Sequence, residues 1–149
     1  MSLTIDMVVD SVAKLPIGAS REEVRKAITN GALMGARGNS GVITSQILRG
    51  LCEGASKCTE FNTDAVATAF ESSVSTAFHA VRKPMEGTIL TVLRDAGDAA
   101  KKASKTKMDL EEALEFIVQE SYASVQRTPD LLPVLKENNV VDAGGFGIA

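Results

Sequence analysis

Residues 31–50, GALMGARGNSGVITSQILRG, place four glycines within eleven positions and then continue into an apolar pattern with helical spacing. A glycine inside a helix costs about 1 kcal/mol relative to alanine, so this stretch needs a physical reason. One reason is a tight turn between two helices that pack closely together. The other is a ligand that approaches the backbone at the start of the second helix. The spacing alone favours the tight turn.

Apolar side chains recur every three to four positions along almost the whole chain, and no segment shows the alternation of a strand. The pattern predicts helices that begin at or near Ile5, Ser20, Ser40, Thr63, Thr88, Asp109, Thr128 and Asp142. Short connections between amphipathic helices favour antiparallel neighbours. We therefore expect an all-α, antiparallel up-and-down helical bundle or barrel.

Three of these helix starts carry local signals. Ser20 with Glu23, and Asp109 with Glu112, resemble capping boxes, in which side chains satisfy the free amides of a first turn. Thr128-Pro129 predicts a cap followed by proline at the first position of a short helix that ends at Asn138-Asn139.

The composition excludes several classes of protein. Hydrophobic residues make up 44% of the chain, which argues against disorder, and the net charge of −3 argues against a nucleic-acid partner. Lys101, Lys102, Lys105 and Lys107 form the one basic cluster, and it falls at an expected helix end, where cations suit the helix dipole.

The cysteines and the ends of the chain bear on its setting. Cys52 and Cys58 form neither a zinc motif nor a redox motif, so we expect free thiols in a reducing cytoplasm. No apolar run approaches the roughly 20 residues of a membrane span, and no signal peptide is present. Residues 1–3 are interpreted as an added leader, and residues 1–149 as a single domain truncated at both ends.

Three glycine-bearing loops lead into expected helices: residues 38–41 (GNSG), 83–88 (KPMEGT) and 140–145 (VVDAGG). The first lacks the spacing and the lysine of a P-loop. Each loop has an ordinary structural explanation. The first can be a tight turn between helices, the second a proline turn with Thr88 as the helix cap, and the third a helix start capped by Asp142. Two glycines in a first helical turn would also suit the close approach of a flat ligand. Because two long helices separate each loop from the next, we expect all three loops at one end of the bundle.

Longer motifs resemble a known family. Residues 31–41 (GALMGARGNSG), 45–50 (SQILRG), 83–92 (KPMEGTILTV), 127–135 (RTPDLLPVL) and 141–145 (VDAGG) are similar to the nucleotide-binding domain of the dihydroxyacetone kinase family. The similarity is closer to the branch that includes the N-terminal domain of bacterial fatty acid kinases. It extends over nearly the whole chain from about residue 13.

This resemblance implies a barrel of eight amphipathic helices that binds ATP or ADP with Mg²⁺ at one end. It implies that phosphates are held by Gly38, Asn39, Ser40 and Gly41. It further implies that Gly87 and Thr88 line the nucleotide site and that Asp142, Ala143 and Gly144 border the adenine or ribose. The acceptor, a small hydroxyl or carboxyl compound, would be presented by a partner protein or a further domain.

One family feature is absent from the sequence. The family holds its magnesium with an aspartate cluster just upstream of the segment that corresponds to the first helix here, so we expect those ligands, and the family's first helix, to precede this chain. The 149 residues alone would then be inactive, with no catalytic residue or metal ligand assigned in them. An exposed apolar groove left by that helix would favour homo-oligomers. The alternatives are a nucleotide-responsive regulatory module without catalysis and a helical scaffold whose glycines serve packing alone.

Overall fold

The computed structural model describes all residues, 1–149, and contains eight helices and no strands. The helices are α1 (Ser2–Ala13), α2 (Arg21–Gly35), α3 (Gly38–Ser56), α4 (Thr63–Ala80), α5 (Ile89–Lys105), α6 (Leu110–Leu131), α7 (Pro133–Glu137) and α8 (Ala143–Ile148). The predicted all-α class is confirmed. Every helix is too short or too polar to span a lipid bilayer.

Consecutive long helices run antiparallel, as the short connections predict. Gly35 at the end of α2 packs against Leu3 and Thr4 at the start of α1. The same reversal joins α3 to α4, because Gly54 near the end of α3 packs against Ala69 near the start of α4. The chain therefore forms an up-and-down bundle in which α1, α3 and α5 begin at one end.

Helix α5 is the most deeply buried of the eight. It contributes nine buried residues, among them Leu90, Val92, Leu93 and Ala100, and packs between α4 and α6 with the short helix α8 against it. The lysines in its last turn, Lys102 and Lys105, lie at the negative end of the helix dipole, as predicted.

Two glycines of α3 explain how closely α3 and α4 approach. A Cβ on Gly54 would lie 2.6 Å from the Cα of Ala69, and a Cβ on Gly50 would overlap the backbone of Ser73. Such distances are shorter than any real Cβ contact, so only glycine fits. Close packing therefore accounts for these two glycines.

The prediction for Thr128-Pro129 was wrong. Helix α6 continues through both residues to Leu131, and α7 starts at Pro133. Pro129 lacks the N–H that would bond to the carbonyl of Val125 in a regular helix. The hydroxyl of Thr128 donates to that carbonyl at 2.7 Å instead, so the last turn of α6 keeps its hydrogen bonding.

Candidate functional site

The three glycine-bearing loops lie at the same end of the bundle, which we call the glycine end (residues 36–41, 81–88 and 138–145). Gly87 packs against Thr128 and Leu132, and Gly144 packs against Ile89. Ile43 in the second turn of α3 packs on the same core cluster as Ile89 and Ile148. The three loops therefore lie at one end of the bundle, as expected.

The turn into α3 is shaped by Gly38, which adopts a φ of +62°. This left-handed conformation is strained for any residue with a side chain, and a Cβ at Gly38 would meet nothing within 4 Å. Gly38, Asn39 and Ser40 are exposed, whereas Gly41 is buried against Thr4. No side-chain oxygen caps this first turn.

Arg37, which precedes the turn, folds back onto the end of α2. Its guanidinium donates to the carbonyl of Ala36 at 2.7 Å and to that of Met34 at 3.1 Å. These bonds stabilise the carbonyl end of α2, where a positive charge is favourable. They also keep an arginine beside the exposed turn.

The turn into α5 uses a second left-handed glycine, Gly87, with a φ of +76°. Its amide donates to the hydroxyl of Thr91 at 3.0 Å, so this N–H is occupied within the protein. Thr88 occupies the N-cap position without capping the helix, because its hydroxyl donates to the carbonyl of Met85 at 2.7 Å. The simple Thr88 cap considered from the sequence is therefore not formed.

Glu86 and Arg94 flank this turn as a bidentate ion pair, with N···O distances of 2.6 and 2.9 Å. The hydrogen bonds from Arg94, and then the one from Thr91, hold the pKa of the Glu86 carboxyl below its usual value of 4.5. The carboxylate in turn raises the pKa of the Arg94 guanidinium. Sequence analysis missed this pair, since the two residues are eight positions apart across a helix start and match no helical pairing rule.

The start of α8 is capped, as predicted, by Asp142, whose carboxylate accepts from the amide of Gly145 at 2.6 Å. A Cβ on Gly145 would lie 2.7 Å from Cγ2 of Val92, and one on Gly144 would lie 3.3 Å from Cβ of Ile89. Packing against α5 therefore explains both glycines without a flat ligand. Ala143 is exposed at the same turn.

The two ends of the bundle differ in how their helices are capped. At the opposite end, which we call the capped end (residues 14–20, 57–63 and 106–109), α2, α4 and α6 all begin with a side-chain cap, from Ser20, Asn62 and Asp109. At the glycine end neither α3 nor α5 has one. The first amides of these two long helices therefore lack the side-chain acceptors that the other three helices have.

None of the five main concavities lies at the glycine end, and no set of metal ligands lies there either. Five concavities of about 210 to 460 Å³ are lined by other residues, the largest lying between α2 and α3 beside Arg25 and Cys52. No three His, Cys, Asp or Glu side chains cluster in a way that could hold a metal. The residues of this chain thus do not fit a magnesium site by themselves, while helix-terminal amides can bind an anion without a deep cleft.

Comparison with known proteins places this fold and its motifs in a family. An uncharacterized protein of Staphylococcus aureus strain bovine RF122 / ET3-1 is 48% identical over 126 residues, a region that covers 85% of this chain and 23% of the relative. Uncharacterized proteins of S. aureus strains USA300 and N315 match with the same identity and coverage. The chain therefore spans about a quarter of the length of these relatives. The family model described as the DAK2 domain matches residues 1–149, so the chain belongs to the DAK2 domain family of dihydroxyacetone kinase-like proteins.

Proposed function

We propose that the glycine end binds the phosphates of ATP or ADP, and that the protein is the nucleotide-binding part of an ATP-dependent phosphotransferase. The observation that carries this proposal is that the long helices α3 and α5 start without a side-chain cap at the glycine end, whereas α2, α4 and α6 are capped at the other end. A helix start without a side-chain cap leaves amide donors and the positive end of the helix dipole available to an anion. Two such starts, those of α3 and α5, belong to the same end.

Each loop has its own role in this proposal. Gly38 and Gly41 add no side chains of their own to the first turn of α3, so a phosphate can approach the amides there, and Asn39 and Ser40 add polar groups. Gly87 and Thr88 form the facing wall at the start of α5. Asp142, Ala143 and Gly144 border the adenine or ribose. Gly87 contributes through its conformation, because its amide is already bonded to Thr91.

The reaction class follows from the family and from this division of roles. Phosphoryl transfer depends mainly on positioning and on neutralising charge, which backbone amides and Mg²⁺ supply. We place the magnesium ligands and the acceptor site outside this chain, on preceding residues and on a partner protein or further domain. The acceptor class is a small hydroxyl or carboxyl compound, with a fatty acid or a dihydroxyacetone-like triose as the two candidates. The free thiols of Cys52 and Cys58 suit a cytoplasmic protein.

An ADP titration by calorimetry tests the proposal, with and without Mg²⁺, on this chain and on a form extended by the residues encoded upstream. Binding that depends on Mg²⁺ only in the extended form would support the nucleotide site and the placement of the metal ligands. If neither form binds ADP, the proposal is wrong, and the alternative of a helical scaffold without nucleotide binding is favoured. Binding without phosphate transfer in the full protein would instead support the regulatory module.

A further inference from the structure

A continuous chain of hydrogen bonds runs from the backbone of the Gly87 turn to an ion pair at the surface. The amide of Gly87 donates to Oγ1 of Thr91 at 3.0 Å, and that hydroxyl donates to Oε2 of Glu86 at 2.9 Å. Both oxygens of Glu86 accept from Arg94. Three side chains are thus linked to a single backbone amide.

The direction of these bonds gives each residue a definite task. A threonine hydroxyl can donate only one hydrogen bond, and Thr91 donates it to the Glu86 carboxylate, which can only accept. The lone pairs of Thr91 are then left to accept from Gly87. Arg94 holds the carboxylate in place through two bonds, so the hydroxyl has one preferred orientation. Thr91 itself is buried, with 2% of its surface exposed.

The turn held by these hydrogen bonds is left-handed and tightly packed. Gly87 has a left-handed φ, and it lies so close to the end of α6 that a Cβ there would be 2.9 Å from the carbonyl oxygen of Thr128 and 2.7 Å from Cβ of Leu132. A shift of the turn would move Thr88, the N-cap residue, and with it the first amides of α5. The hydrogen-bond chain and this packing together hold the turn that precedes those amides.

We propose that Glu86, Thr91 and Arg94 are positioning residues that hold the Gly87 turn so that the first amides of α5 face the nucleotide. This inference rests on the proposed function of the glycine end. It adds three residues to the site that have no bond to the ligand themselves. Their effect on binding passes through the conformation of the turn.

The competing explanation is that these residues only stabilise the fold. The protein contains a second ion pair of the same kind, which can distinguish a positioning role from a purely structural one. Glu22 and Arg25 form a bidentate ion pair at the capped end, with distances of 2.5 and 2.8 Å. The Glu22 side chain is 52% exposed and the Glu86 side chain 55% exposed. Exposed pairs of this kind contribute little to stability, so neither substitution should unfold the protein. Only the pair at the glycine end should affect nucleotide binding.

The experiment measures ADP affinity in the full protein that carries this chain, together with hydrogen exchange at the Gly87 amide by NMR. Without its acceptor in T91V, the Gly87 turn should leave the conformation that binds ADP. Restoring that conformation on binding should raise the Kd for ADP about fivefold or more. T91S keeps the hydroxyl and should bind within about twofold of wild type, since the same hydrogen bonds can form. E86Q should weaken binding and speed exchange at Gly87 with an unchanged melting temperature, whereas E22Q should change neither.

The outcomes distinguish this inference from the proposed function. Normal ADP binding by wild type, T91V and E86Q alike would overturn the positioning role and leave the nucleotide site intact. An equal loss of affinity in E22Q and E86Q would overturn it too, because the effect would then be general. No ADP binding by wild type would overturn the proposed function itself, and with it the role of these residues in binding.

Discussion

The amide of Asp142 donates a hydrogen bond of 3.0 Å to the hydroxyl of Thr128, which joins the start of α8 to the last turn of α6. The same hydroxyl donates to the carbonyl of Val125, which Pro129 leaves without its helical donor. Thr128 is completely buried. One side chain therefore pairs with a backbone amide and with a backbone carbonyl that lacks its helical donor.

Replacing Thr128 with valine should destabilise the fold strongly. The substitution keeps the shape but leaves the amide of Asp142 and the carbonyl of Val125 unpaired, at about 1–3 kcal/mol for each buried group. Thr44→Val is the matched control, because Thr44 is also buried and its hydroxyl donates only to the carbonyl of Ser40. Urea denaturation should show the larger loss of unfolding free energy for Thr128→Val. Equal losses in the two variants would contradict the double role of Thr128.

Two of the three left-handed glycines, Gly38 and Gly18, give a matched test of the phosphate site. Both have a positive φ, and a Cβ at either position would meet no atom within 4 Å. Valine at either position should cost about 1–2 kcal/mol through backbone strain. Only Gly38→Val should also weaken ADP binding, by about tenfold or more, because its side chain would occupy the space proposed for the phosphates.

Calorimetry, with circular dichroism to verify helix content, measures both effects of this pair. Similar ADP affinity in folded Gly38→Val and Gly18→Val would rule out a phosphate at the turn into α3. Gly41 is a poorer choice for the test, since a Cβ there would lie 3.2 Å from Oγ1 of Thr4 and would disturb the packing of α1.

Local rules predicted most of the fold and part of the site. The caps at Ser20, Asp109 and Asp142 depend on residues within three positions, and the shared end of the three loops depends on the two long helices that separate each loop from the next. The features that the sequence did not predict, the Glu86–Arg94 ion pair and the role of Thr128, depend on residues that are distant in sequence or lie on opposite sides of a helix start. From the sequence alone Thr128 resembles a helix cap. Its actual role depends on Asp142, which lies 14 positions further along the chain.

The glycines show the same limit. From the sequence, Gly144 and Gly145 suggested a flat ligand, but Ile89 and Val92 of α5 fill the space beside them. The sequence assigned no role to Gly54. The structure shows that this glycine allows the backbone of α4 to pack closely against α3. The spacing of glycines in the sequence indicates that another group lies close to the backbone at those positions. Only the fold shows whether that group is a ligand or a neighbouring helix.

Close packing of α3 on α4 can be tested with two alanine substitutions. Gly54→Ala should destabilise by about 1–3 kcal/mol, because its Cβ would meet backbone atoms that cannot move independently. Gly97 in α5 is the control, since its nearest neighbour would be the side-chain atom Cγ2 of Val74 at 3.0 Å. There the gain in helix propensity, up to about 1 kcal/mol, should offset the adjustment of Val74. Thermal unfolding of the two variants should differ accordingly, and equal melting temperatures would argue against backbone contact at Gly54.

The thiol of Cys52 should show a pH dependence of opposite sign to that of the surface carboxylates. Burial raises its pKa above the ordinary value of 9.0, with Arg25 opposing and Glu53 adding to the shift. Because the unfolded chain then loses its proton first, the free energy of unfolding should fall as the pH rises past 9.0. This decline should be smaller in Cys52→Ala. Alkylation rates in a Cys58→Ser background, followed from pH 7 to pH 10, should rise later in the folded protein than in urea. A folded-state midpoint at or below 9.0 would mean that the charge of Arg25 outweighs burial.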